Sequence, residues 1–205
     1  MSAPAALRVE DIAAGGDFVR LASIAGLAVD LRYAGTNNFA GRVLYRDIDC
    51  AWIRREAAAG LAAAVAWLAA HAPARRLVVL DALRPQRVQE AIWREFAGTE
   101  VEHYFAHPQR GSIHSFGMAV DATLLDAAGR EVDMGGAFDE MSRRSQPARH
   151  AELLARGELT PAQVAERATL ARALAAGGFA GIAIEWWHFD CGDAERVRRE
   201  CARVL

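Results

Sequence analysis

Apolar residues recur at steps of three and four between Ile53 and His71, where Ile53, Ala57, Leu61, Val65 and Leu68 form one stripe broken only by Gly60. That spacing predicts a helix with one buried face. The pattern then shortens: Leu77 to Leu80 is a continuous apolar run ending at Asp81, which reads as a buried strand. Pro85 follows where the first turn of another helix would begin, carrying Val88, Ile92 and Phe96 on its apolar face. Arg84 therefore falls at a junction where the strand fixes its origin and the proline fixes the exit of the chain.

Further on, Gly117 to Leu125 reads as a strand and Arg130 to Met134 as its partner, with turn-forming residues from Asp126 to Gly129 between them, so a β-hairpin is expected. Thr160, Pro161 and Gln163 combine an N-cap, a first-turn proline and a capping box, and Gly177 and Gly178 supply a left-handed stop after Leu174. Gly181 to Phe189, dense in Ile, Trp and Phe, reads as a buried strand, followed by an amphipathic helix from Asp193 to Val204. Helices and strands mix without strict alternation, which predicts an α+β fold with a central, mainly antiparallel sheet flanked by helices. The length, 205 residues, fits a single domain spanning 1–205. No internal repeat is present, and the alanine-rich stretches are those of helix formers.

Composition narrows the function classes. Hydrophobic residues make up 53% and charged residues 24%, with a mean hydropathy of +0.03, as in a globular chain that folds alone. Lys and Arg (24) nearly balance Asp and Glu (26), for a formal charge of -2, so no global positive field draws in nucleic acid or an anionic membrane. A small-molecule partner is expected instead. Cys50, Cys191 and Cys201 are odd in number and widely spaced, which argues against a disulfide framework or a cysteine zinc knuckle. Met1 to Glu10 shows no basic start leading into an apolar core segment, so a cytoplasmic location is expected.

Two segments place ligand-type side chains among apolar neighbours: Ser112-Ile113-His114 running on to Asp121, and Glu185-Trp186-Trp187-His188. Singly, a histidine in a strand or an aspartate beside a turn has an ordinary structural reading, and the two tryptophans read as packing. Together, two imidazoles and one carboxylate form an N,N,O set that suits one zinc ion with a fourth position left for water, the pattern of a catalytic site. Glu185 could then act as general base toward that water. Glu185 and His188 would point to opposite faces of an ideal strand, so a bend between them is required.

These segments resemble the metal motifs of the VanX-type D-alanyl-D-alanine dipeptidases, Ser-x-His-x-x-x-x-x-x-Asp and Glu-Trp-Trp-His. The likeness extends to Tyr33 through Gly41, to Asp81-Ala82-Leu83-Arg84-Pro85 and to Met134-Gly135-Gly136-Ala137-Phe138-Asp139, all in family order. The resemblance implies a zinc peptidase with His114, Asp121 and His188 as metal ligands, Glu185 as catalytic base and Arg84 stabilising the transition state. It also implies that Tyr33, Ser112 and Asp139 line the site for a small D,D-dipeptide. An arginine in that role makes physical sense, because the attacked carbonyl becomes an oxyanion. Ile113 and the pair Ala82-Leu83 depart from the family pattern and would bear on pocket shape. His103, His107 and His150 receive no role, although His107 lies near enough to the first motif to join a rim.

Two rivals stand beside hydrolysis of D-alanyl-D-alanine: a D,D-carboxypeptidase acting on longer peptidoglycan stem peptides, and a zinc-stabilised module that binds peptides without cleaving them. Glu185 separates the last from the others, since a structural metal site needs no spare carboxylate. No feature of the sequence specifies an oligomeric state.

Overall fold

Leu77 to Asp81 and Ala119 to Leu124 are buried at every position, and stretches covered on both faces form the interior of a sheet. In the computed structural model, which describes residues 4–205, they belong to β4 (Arg76–Asp81) and β5 (Ala119–Leu125). With β2 (Ala28–Val29), β6 (Phe179–Gly181) and β7 (His188–Cys191) they make a five-stranded sheet in the order β2-β4-β5-β7-β6. The β2–β4 pair is parallel and the other pairs are antiparallel. A separate ribbon joins β1 (Phe18–Arg20) to β3 (Trp52–Arg54). The expected α+β class with a mainly antiparallel sheet and flanking helices is the one observed.

The first periodic stripe forms α1 (Arg55–His71), with Ala57, Leu61, Ala64 and Leu68 buried, while Ile53 belongs to β3. Gly60, which interrupts the stripe, is where α1 meets the end of α4 (Pro161–Ala176): a Cβ at Gly60 would lie 2.3 Å from the Gly177 carbonyl oxygen. The interruption is thus a contact that only glycine permits. Thr160 and Gln163 cap α4 reciprocally, at 3.2 and 2.8 Å. Of the two glycines after it, Gly178 takes the left-handed conformation (φ 79°), whereas Gly177 does not (φ −96°). The helix α2 (Gln86–Phe96) begins one residue after Pro85, which occupies its N-cap rather than its first turn.

Three expectations are corrected. Asp126 to Gly129 does form a turn, but Arg130 to Met134 forms no strand: it meets the end of β5 at a single bridge, Leu125 with Glu131, with a backbone bond from Val132 to Leu124 at 2.9 Å, before the chain turns away at Asp133, whose side chain accepts from the amide of left-handed Gly135 at 2.8 Å. The predicted strand from Gly181 to Phe189 is two short strands, β6 and β7, separated by irregular backbone over residues 182–187. The last helix, α5 (Ala194–Glu200), is shorter than Asp193 to Val204; Asp193 caps it at 2.7 Å, and Val204 bridges to Leu7 instead. A short helix, α3 (His150–Ala155), was not expected. The three cysteines are free, and no helix among the described residues is long and apolar enough to cross a membrane.

Candidate metal centre and active-site cleft

Sheet register assembles the site. Asp81 on β4 pairs with Asp121 on β5, and Asp121 pairs with His188 on β7, so three polar residues form a row across three strands. Directly paired side chains share a face with their Cβ atoms about 4.5–5.5 Å apart. His114 reaches the same row from outside the strands, on a 3-10 turn, Ile113–Phe116, closed by Gly117 in the left-handed conformation (φ 66°). A side chain at Gly117 would strike the Phe18 ring at 2.6 Å, so this reversal depends on glycine. His114 was expected within a strand; the turn brings its ring over Asp121 instead. The irregular 182–187 segment supplies the bend that the Glu185–His188 spacing demanded.

The ligating atoms converge. His114 Nε2 lies 3.1 Å from His188 Nδ1 and 3.3 Å from Asp121 Oδ1, and His188 Nδ1 lies 3.0 Å from the same oxygen. Donor atoms around a tetrahedral zinc, with bonds of about 2.0–2.1 Å, stand about 3.3–3.4 Å apart. The outer nitrogens decide what the inner ones present. His114 Nδ1 faces the Ala82 carbonyl at 2.7 Å, and a carbonyl only accepts, so that nitrogen carries the hydrogen. His188 Nε2 faces Asp190 Oδ1 at 2.9 Å and donates in the same way. In their neutral form the two rings therefore turn lone pairs on each other and on a carboxylate, an arrangement that suits a cation; with no metal a proton takes that place, since burial lowers His188 but its hydrogen bonds to Asp121 and Asp190 raise it well above the ordinary imidazole value. These residues fit a metal ion.

Asp190 was not picked out from the sequence. Its signal is the His-x-Asp spacing, which puts Asp190 on the His188 face of β7, and a carboxylate behind a ligating histidine fixes the ring and raises its basicity. Asp121 would be raised by burial alone, yet His114 and His188 hold it well below the usual carboxylate range.

Glu185 Oε2 lies 4.0 Å from His188 Nδ1. Burial pushes its carboxyl up to about 7; the Asp121 and Asp190 charges add to this, and His188 and Arg84 oppose it. Arg84 is buried and held by Asp81: its Nε and Nη2 donate to Asp81 Oδ2 at 3.0 and 2.7 Å. Tyr45 donates to the other oxygen, Oδ1, in a short hydrogen bond. Arg84 also packs over the Tyr33 ring at 4.8 Å, and its Nη2 approaches Asp121 Oδ2 at 3.4 Å. The orienting roles of Asp81 and Tyr45 also went unread in the sequence, because nothing local shows which buried acid an arginine will meet.

Asp139 and Tyr33 face one another, Tyr33 Oη donating to Asp139 Oδ1 at 3.5 Å, while the Phe39 amide donates to Oδ2 at 3.3 Å. Asp139 has a left-handed backbone (φ 60°), a conformation that aspartate tolerates better than most residues with a Cβ. Burial raises its carboxyl well above the ordinary value, the Asp121 charge adds to that, and Arg84 opposes it. Ser112 is buried and lines the same cleft.

Every residue named from the sequence as a ligand, base, arginine or substrate contact lines one cleft of about 380 Å³, within the volume range of small-molecule sites. His103 and His107 lie on its wall, and Trp187 lines it as well as packing. His150 does not take part; its Nε2 meets Arg167 Nη1 at 3.1 Å. Of the departures, Ile113 lines the cleft, but Ala82 and Leu83 are wholly buried and Leu83 packs with Val9 and Ile12, so that pair does not shape the pocket directly.

Residues 16–204 match the family model described as D-ala-D-ala dipeptidase, a peptidase family. The chain is 35% identical over 168 residues to the D-alanyl-D-alanine dipeptidase of Escherichia coli (strain K12), covering 82% of this chain and 80% of that protein. It is 33% identical over 132 residues to the D-alanyl-D-alanine dipeptidase of Streptomyces coelicolor, covering 55% and 60%. Among solved structures, that of the LdcB LD-carboxypeptidase covers 89% of this chain and 71% of its own, with a TM-score of 0.45 and 16% identity. The family match spans nearly the whole chain and includes every residue of the cleft described above: this protein belongs to the D-ala-D-ala dipeptidase family of peptidases.

Proposed function

We propose that this protein is a cytoplasmic, zinc-dependent dipeptidase that hydrolyses D-alanyl-D-alanine to D-alanine, with one zinc per chain held by His114, Asp121 and His188. The observation that carries this reading is the convergence of three lone-pair donors at 3.0–3.3 Å, with Glu185 and Arg84 on the walls of the same cleft. Bound in such a site, zinc acidifies a water molecule and polarises the scissile carbonyl.

The chain's own residues do the rest. Glu185, whose burial brings its carboxyl near neutrality, accepts the proton of the attacking water on Oε and hands it to the leaving amine. Arg84, anchored on Asp81, offers a fixed guanidinium to the oxyanion, a charge that appears only as the bond is attacked. Asp139 and Tyr33 receive the substrate ammonium, where a cation would also return the Asp139 carboxyl to its charged form. Ser112 receives the carboxylate end. A metal site that served only folding would need neither Glu185 nor a cleft of this size, which weighs against the binding-module reading.

The test is amino-acid release from D-alanyl-D-alanine, L-alanyl-L-alanine and a D-Ala-D-Ala-terminated pentapeptide, with zinc and after chelation. Chelator-sensitive cleavage of the D,D-dipeptide alone is expected. Cleavage of the pentapeptide would make the protein a carboxypeptidase, and inertness of a folded, zinc-loaded sample toward all three would refute the assignment.

A further inference from the structure

Gln89, on α2, is a fully buried amide with both ends in use. Its Oε1 accepts from Arg84 Nη1 at 3.2 Å, and its Nε2 donates to the Ala106 carbonyl at 3.0 Å. The orientation is forced: a guanidinium has only donors and a carbonyl only accepts, so the flipped amide would break both contacts. Arg84's two bonds to Asp81 converge on a single oxygen, Oδ2, rather than forming a fork across both. Beside the Tyr33 ring and the 3.4 Å approach of Nη2 to Asp121, the bond from Nη1 to Gln89 is the contact that holds the far side of the guanidinium against rotation about that oxygen.

Ala106 belongs to the cleft wall, as do His107 and Arg110. This stretch has no regular structure of its own, and α2 grips it along one face. Gln86 Nε2 donates to the Pro108 carbonyl at 3.0 Å, and the Trp93 ring meets His107 edge-on with centroids 4.7 Å apart. Positions 86, 89 and 93 follow helical steps of three and four. Gln89 is the one of the three that also reaches Arg84.

We propose that Gln89 is a positioning residue that couples the Arg84 guanidinium to the 105–111 wall, so that one side chain sets both the enclosure of the dipeptide and the placement of the oxyanion-stabilising charge. This rests on the role assigned to Arg84 above.

The experiment compares the zinc-loaded full chain with its Gln89→Glu and Gln89→Met variants, by steady-state hydrolysis of D-alanyl-D-alanine and by hydrogen exchange over residues 105–111. Glu keeps the acceptor for Arg84 and sets a carboxylate against the Ala106 carbonyl; Met removes both contacts. With Met, kcat falls about tenfold to a hundredfold, the usual result of a slightly misplaced catalytic group, and KM rises. With Glu, the loss lies mainly in KM, and exchange over 105–111 quickens in both variants. A mere loss of folded protein would lower apparent kcat in both and leave KM alone. Unchanged kinetics with Met, a kcat loss with Glu equal to that with Met, or unaltered exchange would each overturn the coupling. If the parent chain cleaves no D,D-dipeptide, the role of Arg84 fails separately, and the exchange rates alone decide whether Gln89 holds the wall.

Discussion

Glu185 shows at the scale of one residue how function and stability oppose each other. Its carboxyl is pushed up from 4.5 to about 7 by burial, so the folded chain holds that proton more tightly than the unfolded chain does. The contribution to stability is fully present below about pH 4.5 and is lost as the pH rises through about 7. Replacing Glu185 with Gln removes the titration. In the metal-free protein, urea denaturation is expected to show parent and variant equal near pH 4, with the variant more stable by up to about 3 kcal/mol at pH 8. With zinc supplied, the same variant is expected to bind the metal as the parent does and to lose turnover of D-alanyl-D-alanine. Equal stability at both pH values would mean that Glu185 is better solvated than its position indicates, and unchanged turnover would remove it as the base. Glu185, His114, Asp121 and His188 were all legible in the sequence through their motif. Asp81 was legible only as part of the motif around Arg84, without its orienting role, and Asp190, Tyr45 and Gln89 were not legible, because their roles lie in what they touch; Gln89 touches Arg84 and Ala106 from a helix whose pattern shows only a polar position.

Single elements carried much of the sequence reading. The capping box of α4, the stripe of α1 and the apolar run of β4 depend on neighbours within a few residues, and all three formed where expected. Gly60 read as a flaw in α1, since glycine costs a helix about 1 kcal/mol relative to alanine. Against Gly177 it is a requirement. Gly60→Ala therefore sets a small gain in helix propensity against a Cβ placed 2.3 Å from a backbone carbonyl, and overpacking of this kind costs roughly 1–3 kcal/mol. A net loss of stability on the order of 2 kcal/mol is expected in urea, whereas a stabilised variant would mean that α1 and α4 separate without cost. The strand over 181–189 failed for a related reason: a run rich in aromatics is buried whether it is extended or bent, and its composition does not distinguish the two.

For the whole molecule, the three proposed metal ligands come from three places: the 3-10 turn before β5, β5 itself and β7. An ion there links segments far apart in sequence and stabilises the folded chain by mass action, about 4 kcal/mol at a thousand times its dissociation constant. For a chain of this size that corresponds to a rise in Tm on the order of 10 °C. Calorimetry with zinc and after chelation measures it, and an unchanged Tm would argue that the three donors hold no metal. The sequence by itself determined the capped and periodic helices, the buried strands β4 and β5, the α+β class and, through motif resemblance, eight residues that line the cleft: Tyr33, Arg84, Ser112, His114, Asp121, Asp139, Glu185 and His188. These follow from local periodicity and residue chemistry. Only the tertiary structure decided that Asp81, Asp121 and His188 share one row, that residues 182–187 bend to bring Glu185 beside His188, and which partners lock the histidine rings and Arg84. Strand register and buried hydrogen bonds join residues as far apart as Asp121 and His188, and such pairings are fixed by the packing of the whole sheet rather than by any local pattern.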